Sequence, residues 1–264
     1  MVFRKVVRIQ LFLVLLCLIH HQATEARAPK DSRPPLRGRI VGGSNAREGQ
    51  FAYQVSLRLD GSHLCGGSVI SADYILTAAH CVYAGGDSVV APSVLSIMAG
   101  SNRRNSGGQQ RDVSEIKVHP NYTGSGNDSD IALLKLSSPL ELNDDVQTIA
   151  LATEEPPLAA LVTASGWGRL SEGGARPDIL QYINMIALPN SECRTWTRVS
   201  NNVICLLHLD GQGACNGDSG GPAVYNNELV GVANAVFGEC GTFGPDVYSS
   251  VAFHRDWVLR NSQD

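Results

Sequence analysis

The chain has 264 residues, 43% of them hydrophobic, which is enough for one large domain or two small ones with a true core. Its charge is divided: residues 1–39 hold eight Lys/Arg against two Asp/Glu, and the remainder holds 13 against 23. That acidic body disfavours nucleic acid and anionic membranes as partners, and plentiful Gly and Pro beside only 6% aromatics suit many strands joined by tight turns.

The first segment reads as a secretory signal, residues 1–26. Arg4, Lys5 and Arg8 form a basic start, Leu11 to Ile19 an apolar run, and small residues follow from Ala23. The run is about half of the ~20 residues that a membrane span needs. The expected cut falls near Ala23 or Ala26, which makes the product secreted and extracellular, with no membrane attachment. Removing the signal also removes Cys17 and leaves six cysteines: Cys65, Cys81, Cys193, Cys205, Cys215 and Cys240. An even count in an exported chain implies disulfides, and the count alone leaves the pairing open. No Cys-x-x-Cys pair is present, so no metal site is expected.

Residues 27–39 are basic, contain Pro and carry almost no large apolar side chains, so they read as a propeptide ahead of the folded domain. The register changes at Arg39-Ile40-Val41-Gly42-Gly43. Cleavage after Arg39 would create an α-amino group with a pKa of roughly 8. Such a charge can be buried only against a carboxylate, and Asp218 is the natural partner.

From residue 40 to the C-terminus, short apolar runs alternate with turn residues. Runs at 53–57, 74–76, 131–136, 161–164 and 229–232 predict strands, and Val251 to Leu259 predicts one closing helix. The pattern is all-β, a barrel or sandwich. Three stretches in it carry possible chemistry. Leu76-Thr77-Ala78-Ala79-His80-Cys81 sets a histidine after small residues; alone, such a histidine is usually structural. Asp130 opens the apolar run 131–136, where a carboxylate at the core edge needs a hydrogen-bonding partner such as a histidine N–H. Gly217-Asp218-Ser219-Gly220-Gly221-Pro222 exposes a serine and frees backbone N–H groups to face a developing oxyanion. Alone, it also fits the elbow of α/β-hydrolases, with Ser219, Asp246 and His254 in order. Only 45 residues follow Ser219, and the helices of an α/β sheet are absent, so that reading is set aside.

Together and in this order, these stretches resemble the trypsin/chymotrypsin family of serine proteases, from Ile40 to the C-terminus. Ala164-Ser165-Gly166-Trp167-Gly168 and Pro245-Asp246-Val247-Tyr248 strengthen the likeness. The resemblance implies two six-stranded antiparallel β-barrels over residues 40–264, with a C-terminal helix and the site between the barrels. It implies His80 as general base, Asp130 as its orienting group, Ser219 as nucleophile, and the amides of Gly217 and Ser219 as oxyanion hole. It pairs Cys65 with Cys81, Cys193 with Cys205, and Cys215 with Cys240. Polypeptide substrates, an activating trypsin-like protease and protein protease inhibitors are the implied partners of a monomer that needs no cofactor.

The primary specificity pocket departs from the family pattern. Where trypsin-like members have an Asp six residues before the nucleophile, this chain has Gly213. Asn234-Ala235-Val236 replaces Ser-Trp-Gly, so Val236 narrows the entrance and Asn234 alters the support of Asp130. Asp246 stands where relatives often have Gly, and with Gly213 it resembles the broad-specificity crustacean collagenolytic proteases. The expectation is broad specificity with small to medium side chains favoured. The loop 101–110 holds Arg103 and Arg104 and no acid, so no calcium site is expected there. Sequons begin at Asn121 and Asn127. The competing function is a secreted binding module that keeps this fold without catalysis.

Overall fold

A computed structural model of the chain describes residues 40–83, 88–124, 129–196 and 198–263. The expected signal, the propeptide with Arg39, and the sequon at Asn127 lie outside these residues. After the short strand β1 (Ser44–Asn45), the chain builds β2 (Gln54–Leu59), β3 (Ser62–Val69), β4 (Tyr74–Thr77), β5 (Leu95–Ala99), β6 (Gln109–Val118) and β7 (Ala132–Leu136). These six close into an antiparallel barrel in the order β2-β3-β4-β7-β6-β5. Its strands are packed on both faces by a continuous buried cluster that includes Val55, Leu57, Ile75, Leu76, Ile97, Leu133 and Leu134, none of them exposed. At about 25 cal/mol per Å² of apolar surface, each large side chain there contributes roughly 1.5–3 kcal/mol.

After β8 (Ala150–Leu151), a second set follows: β9 (Leu161–Gly166), β10 (Gln181–Leu188), β11 (Val203–His208), β12 (Pro222–Tyr225), β13 (Glu228–Ala235) and β14 (Gly244–Ser250). The ladder runs β10-β11-β14-β13-β12-β9, and pairing of β9 with β10 closes it. In β10 the buried positions alternate strictly over Gln181, Ile183, Met185 and Ala187, the period of a strand with one face inside. β1 extends this sheet on β10, and β8 adds the single parallel pairing, on β13, among the described strands.

The closing helix is present as α2 (Val251–Asn261), and Ser250 caps it by accepting the Phe253 amide. A shorter helix, α1 (Asn190–Trp196), gave no signal in the sequence, because seven residues make too few turns to establish a period. It is anchored at Cys193, which is bonded to Cys205 of β11. The other two disulfides join Cys65 to Cys81 and Cys215 to Cys240, so all three pairings follow the family pattern.

Candidate active site

The first barrel positions His80 and Asp130 by a simple device. β4 and β7 are antiparallel neighbours, and Thr77 faces Ala132 at the end of their ladder. His80 lies in a 3-10 turn, Ala79–Val82, just past β4, and Asp130 lies just before β7. The two therefore leave the barrel side by side. Asp130 is fully buried, and both its oxygens are used: Oδ1 accepts the His80 backbone amide at 2.8 Å and Oδ2 accepts His80 Nδ1 at 2.6 Å. A carboxylate can only accept, so Nδ1 carries the proton, and neutral His80 keeps Nε2 as an acceptor. The second barrel braces the same aspartate. Ser249 Oγ donates to the Asp130 carbonyl at 2.8 Å, and Asn234 Nδ2 donates to Ser249 Oγ at 3.2 Å. Asn234 thus supports Asp130 at one remove, through Ser249.

Ser219 sits on the loop between β11 and β12, which is bound to both barrels. The Ser219 carbonyl accepts the Gly66 amide of β3 at 2.8 Å, and the Gly220 amide donates to Ala233 at 2.7 Å. A Cβ at Gly220 would lie 2.2 Å from Thr77 Oγ1 and 3.1 Å from the Ala78 nitrogen. The residue after Ser219 is therefore packed on the segment that leads into His80. The Cys65–Cys81 disulfide ties the neighbours of Gly66 and His80 together.

The loop amides are oriented by their own peptide planes. The Asn216 carbonyl accepts the Arg169 amide at 3.0 Å, and the Asp218 carbonyl accepts the Gly221 amide at 2.9 Å. In a trans peptide the N–H points opposite to the C=O, so the amides of Gly217 and Ser219 are turned the other way. Neither donates a hydrogen bond among the described residues. His63, which the sequence reading passed over, holds the Gly217 carbonyl at 3.1 Å through Nε2 and accepts Ser56 Oγ at Nδ1, 2.8 Å away. Burial lowers its pKa to about 4, so this imidazole is neutral. No local pattern marks His63, because its partner lies 154 residues away.

Asp218 is buried beside the serine. Its oxygens accept the Gly168 amide at 2.7 Å and the Cys215 amide at 2.9 Å. Burial nevertheless pushes its carboxyl up to about 7. Asp218 and Ile40 line one narrow cavity, with Ala164 and Tyr248 in its walls. Ile40 is 1% exposed and holds φ at +51°, a conformation that a β-branched residue rarely adopts. The adjoining Val41 bridges to Gly213.

Beside Ser219 opens a cavity of about 110 Å³, lined by Ala214, Asn216, Ala235, Val236 and Val247 among others. Val236 faces it. Gly213 and Asp246 stand one residue behind its lining, next in sequence to Ala214 and Val247. Asp246 is 2% exposed, and its Oδ2 accepts the Ala214 amide at 2.6 Å. Among the described residues, two groups lie close enough to share a metal, Cys65/His80/Cys81 and Glu172/Cys215/Cys240, but each relies on sulfurs already joined in disulfides. Asn121 is exposed on the loop after β6.

Two closed barrels with an aspartate-held histidine and a glycine-flanked serine on adjoining edges define a serine endopeptidase, a hydrolase of polypeptides. Residues 40–258 match the Trypsin family model, and the chain belongs to that family. It is 43% identical over 227 residues to Serine protease SP24D of Anopheles gambiae, covering 86% of this chain and 82% of that one. It is 41% identical over 237 residues to Trypsin alpha of Drosophila melanogaster, covering 88% and 90%. With Trypsin alpha-4 of Lucilia cuprina, identity is 39% over 253 residues, covering 94% and 96%.

Proposed function

We propose that this protease is secreted as a precursor, is activated by cleavage between Arg39 and Ile40, and works through Ser219, His80 and Asp130. The observation that carries the reading is the double grip of Asp130 on His80, which fixes the tautomer with Nε2 free to accept a proton. Ser219 Oγ attacks the scissile carbonyl and its proton passes to His80 Nε2. The amides of Gly217 and Ser219 receive the oxyanion, each such donor contributing about 3 kcal/mol to the transition state. Collapse breaks the C–N bond, and the leaving amine takes the proton from His80. Water then repeats the sequence on the acyl-enzyme, which releases the acid and restores the serine.

Activation follows from the state of Asp218 and Ile40 in the uncut chain. A carboxyl shifted up by burial and an isoleucine at positive φ are both relieved when a charged α-amino group forms at Ile40 and turns toward Asp218. Specificity is broad, for small to medium side chains before the cut, because Val236 narrows the cavity and Gly213 offers no carboxylate. Several relatives are named trypsins, and this chain has Gly213 where trypsin-like members of the family carry an Asp. The N-terminal signal supports export, and among the described residues no helix is long and apolar enough to cross a membrane. In the secretory route Asn121 accepts a glycan. The working form is a monomer, and protein protease inhibitors are its expected regulators.

The test is hydrolysis of a peptide panel varied at the residue before the cut, by the protein before and after cleavage at Arg39. The expected result is turnover only after cleavage, with Ala-, Val- and Leu-type residues preferred. A strict Arg/Lys preference would defeat the specificity reading. No turnover of any peptide by the cleaved protein would favour a binding module.

A further inference from the structure

His208 has no role in the family motifs, yet its ring lies against Gly213 and Asp246, which stand one residue behind the lining of the cavity beside Ser219. In the ladder between β11 and β14, Leu206 faces Asp246 and His208 faces Gly244. Residues 206 and 208 share a face, so His208 meets Asp246 diagonally across the strands. Its Nε2 lies 3.4 Å from Asp246 Oδ1, with the two side chains 3% and 2% exposed. Its Nδ1 lies 3.0 Å from the Leu209 carbonyl. Both ring nitrogens therefore face acceptors, and only the imidazolium, with two donors, satisfies both.

The ring also fills the space above Gly213. A Cβ at residue 213 would lie 2.5 Å from His208 Nε2, and φ there is +126°, a region open to glycine. A side chain at the position where trypsin-like members carry their Asp would collide with this imidazole. Asp246, the other carboxylate near the pocket, has one oxygen on the Ala214 amide and the other beside His208.

We propose that His208 is a specificity-determining residue: its imidazolium plugs the floor over Gly213 and neutralises Asp246, so the pocket presents no free negative charge to a basic substrate side chain. The inference rests on the reading of the cavity beside Ser219 as the primary pocket. The charged groups that face His208 are Asp246 from β14 and Asp210 from the adjoining turn, and Asp218 acts on Asp246 from the serine loop. Burial works against the charged ring, but the Asp246 carboxylate outweighs it and raises the pKa above the ordinary histidine value.

The experiment uses protein cleaved at Arg39, with functional sites counted by a serine-directed phosphonate. Two quantities are read: the Kd of p-aminobenzamidine, a cation shaped for a basic-residue pocket, and the ratio of kcat/KM for Arg over Ala before the cut. The proteins are wild type, His208→Ala, His208→Gln and the double variant His208→Ala/Asp246→Asn. In His208→Ala, benzamidine affinity and the Arg/Ala ratio both rise about tenfold or more, since the carboxylate is uncovered. His208→Gln, which keeps the bulk and drops the charge, gives a smaller rise and carries the test if the alanine variant does not fold. The double variant loses the gain. Full labelling with unchanged affinity and ratio in the folded His208 variants, or a gain that survives in the double variant, would overturn the assignment of His208 alone. Absence of labelling at Ser219 in the wild type would overturn the protease reading and this assignment with it.

Discussion

Cleavage after Arg39 should change how stability depends on pH, and Asp218 sets the size of the change. In the uncut chain, burial holds its carboxyl at about 7 instead of the ordinary 3.8. A raised acid keeps its proton in the folded state while the unfolded chain has already released it, so stability falls as pH rises between those two values. At about 1.4 kcal/mol per pH unit, the loss approaches 4 kcal/mol by pH 7. A free Ile40 α-amino group favours the ionised carboxylate and removes most of that slope. The strain at Ile40, about 1–3 kcal/mol for a residue in this region, is released in the same event. Urea unfolding of Ser219→Ala protein, which cannot digest itself, measures both forms from pH 4 to pH 8. His63 and the other groups common to both forms contribute equally, so the uncut form should lose several kcal/mol relative to the cut form across that range. Equal slopes in the two forms would refute the coupling of the new terminus to Asp218.

Asp130→Asn should leave the fold intact and lower kcat by about 10⁴-fold, the loss known for this change in the family's own Ser-His-Asp template, because the amide can donate to His80 and select the wrong tautomer. Steady-state kinetics on one peptide checks it. Gly220→Ala should destabilise by more than about 2 kcal/mol and depress activity, since its φ is +75° and the added carbon would meet Thr77 Oγ1 at 2.2 Å and the Gly66 carbonyl at 2.7 Å; thermal unfolding reads the loss. His63 imposes an acid limit. Its pKa of about 4 lies below the ordinary 6.5, so the unfolded chain gains a proton that the folded one refuses, and about 3 kcal/mol is lost as pH falls through that window. His63→Gln should flatten that decline in denaturant titrations.

The fold was legible because its signals are local. The apolar runs of β4, β7 and β13 announced strands, and the glycine-flanked serine, the histidine before Cys81 and the aspartate before β7 each stood in recognisable surroundings. The groups that escaped notice act over long separations. His63 reaches the Gly217 carbonyl across 154 residues, and His208 meets Asp246 only because β11 and β14 are ladder neighbours. The support of Asp130 by Asn234 was anticipated as altered, but its route through Ser249 depends on a contact between residues far apart in the chain.

Cutting the chain at Arg39 should turn Ser219 into a reactive nucleophile. Mass spectrometry of protein treated with a peptidyl phosphonate tests it most directly. Ser219 should be modified stoichiometrically in the cleaved protein, little in the uncut form, and not at all in the His80→Ala variant. Modification of another residue, or no modification of well-folded cleaved protein, would contradict it.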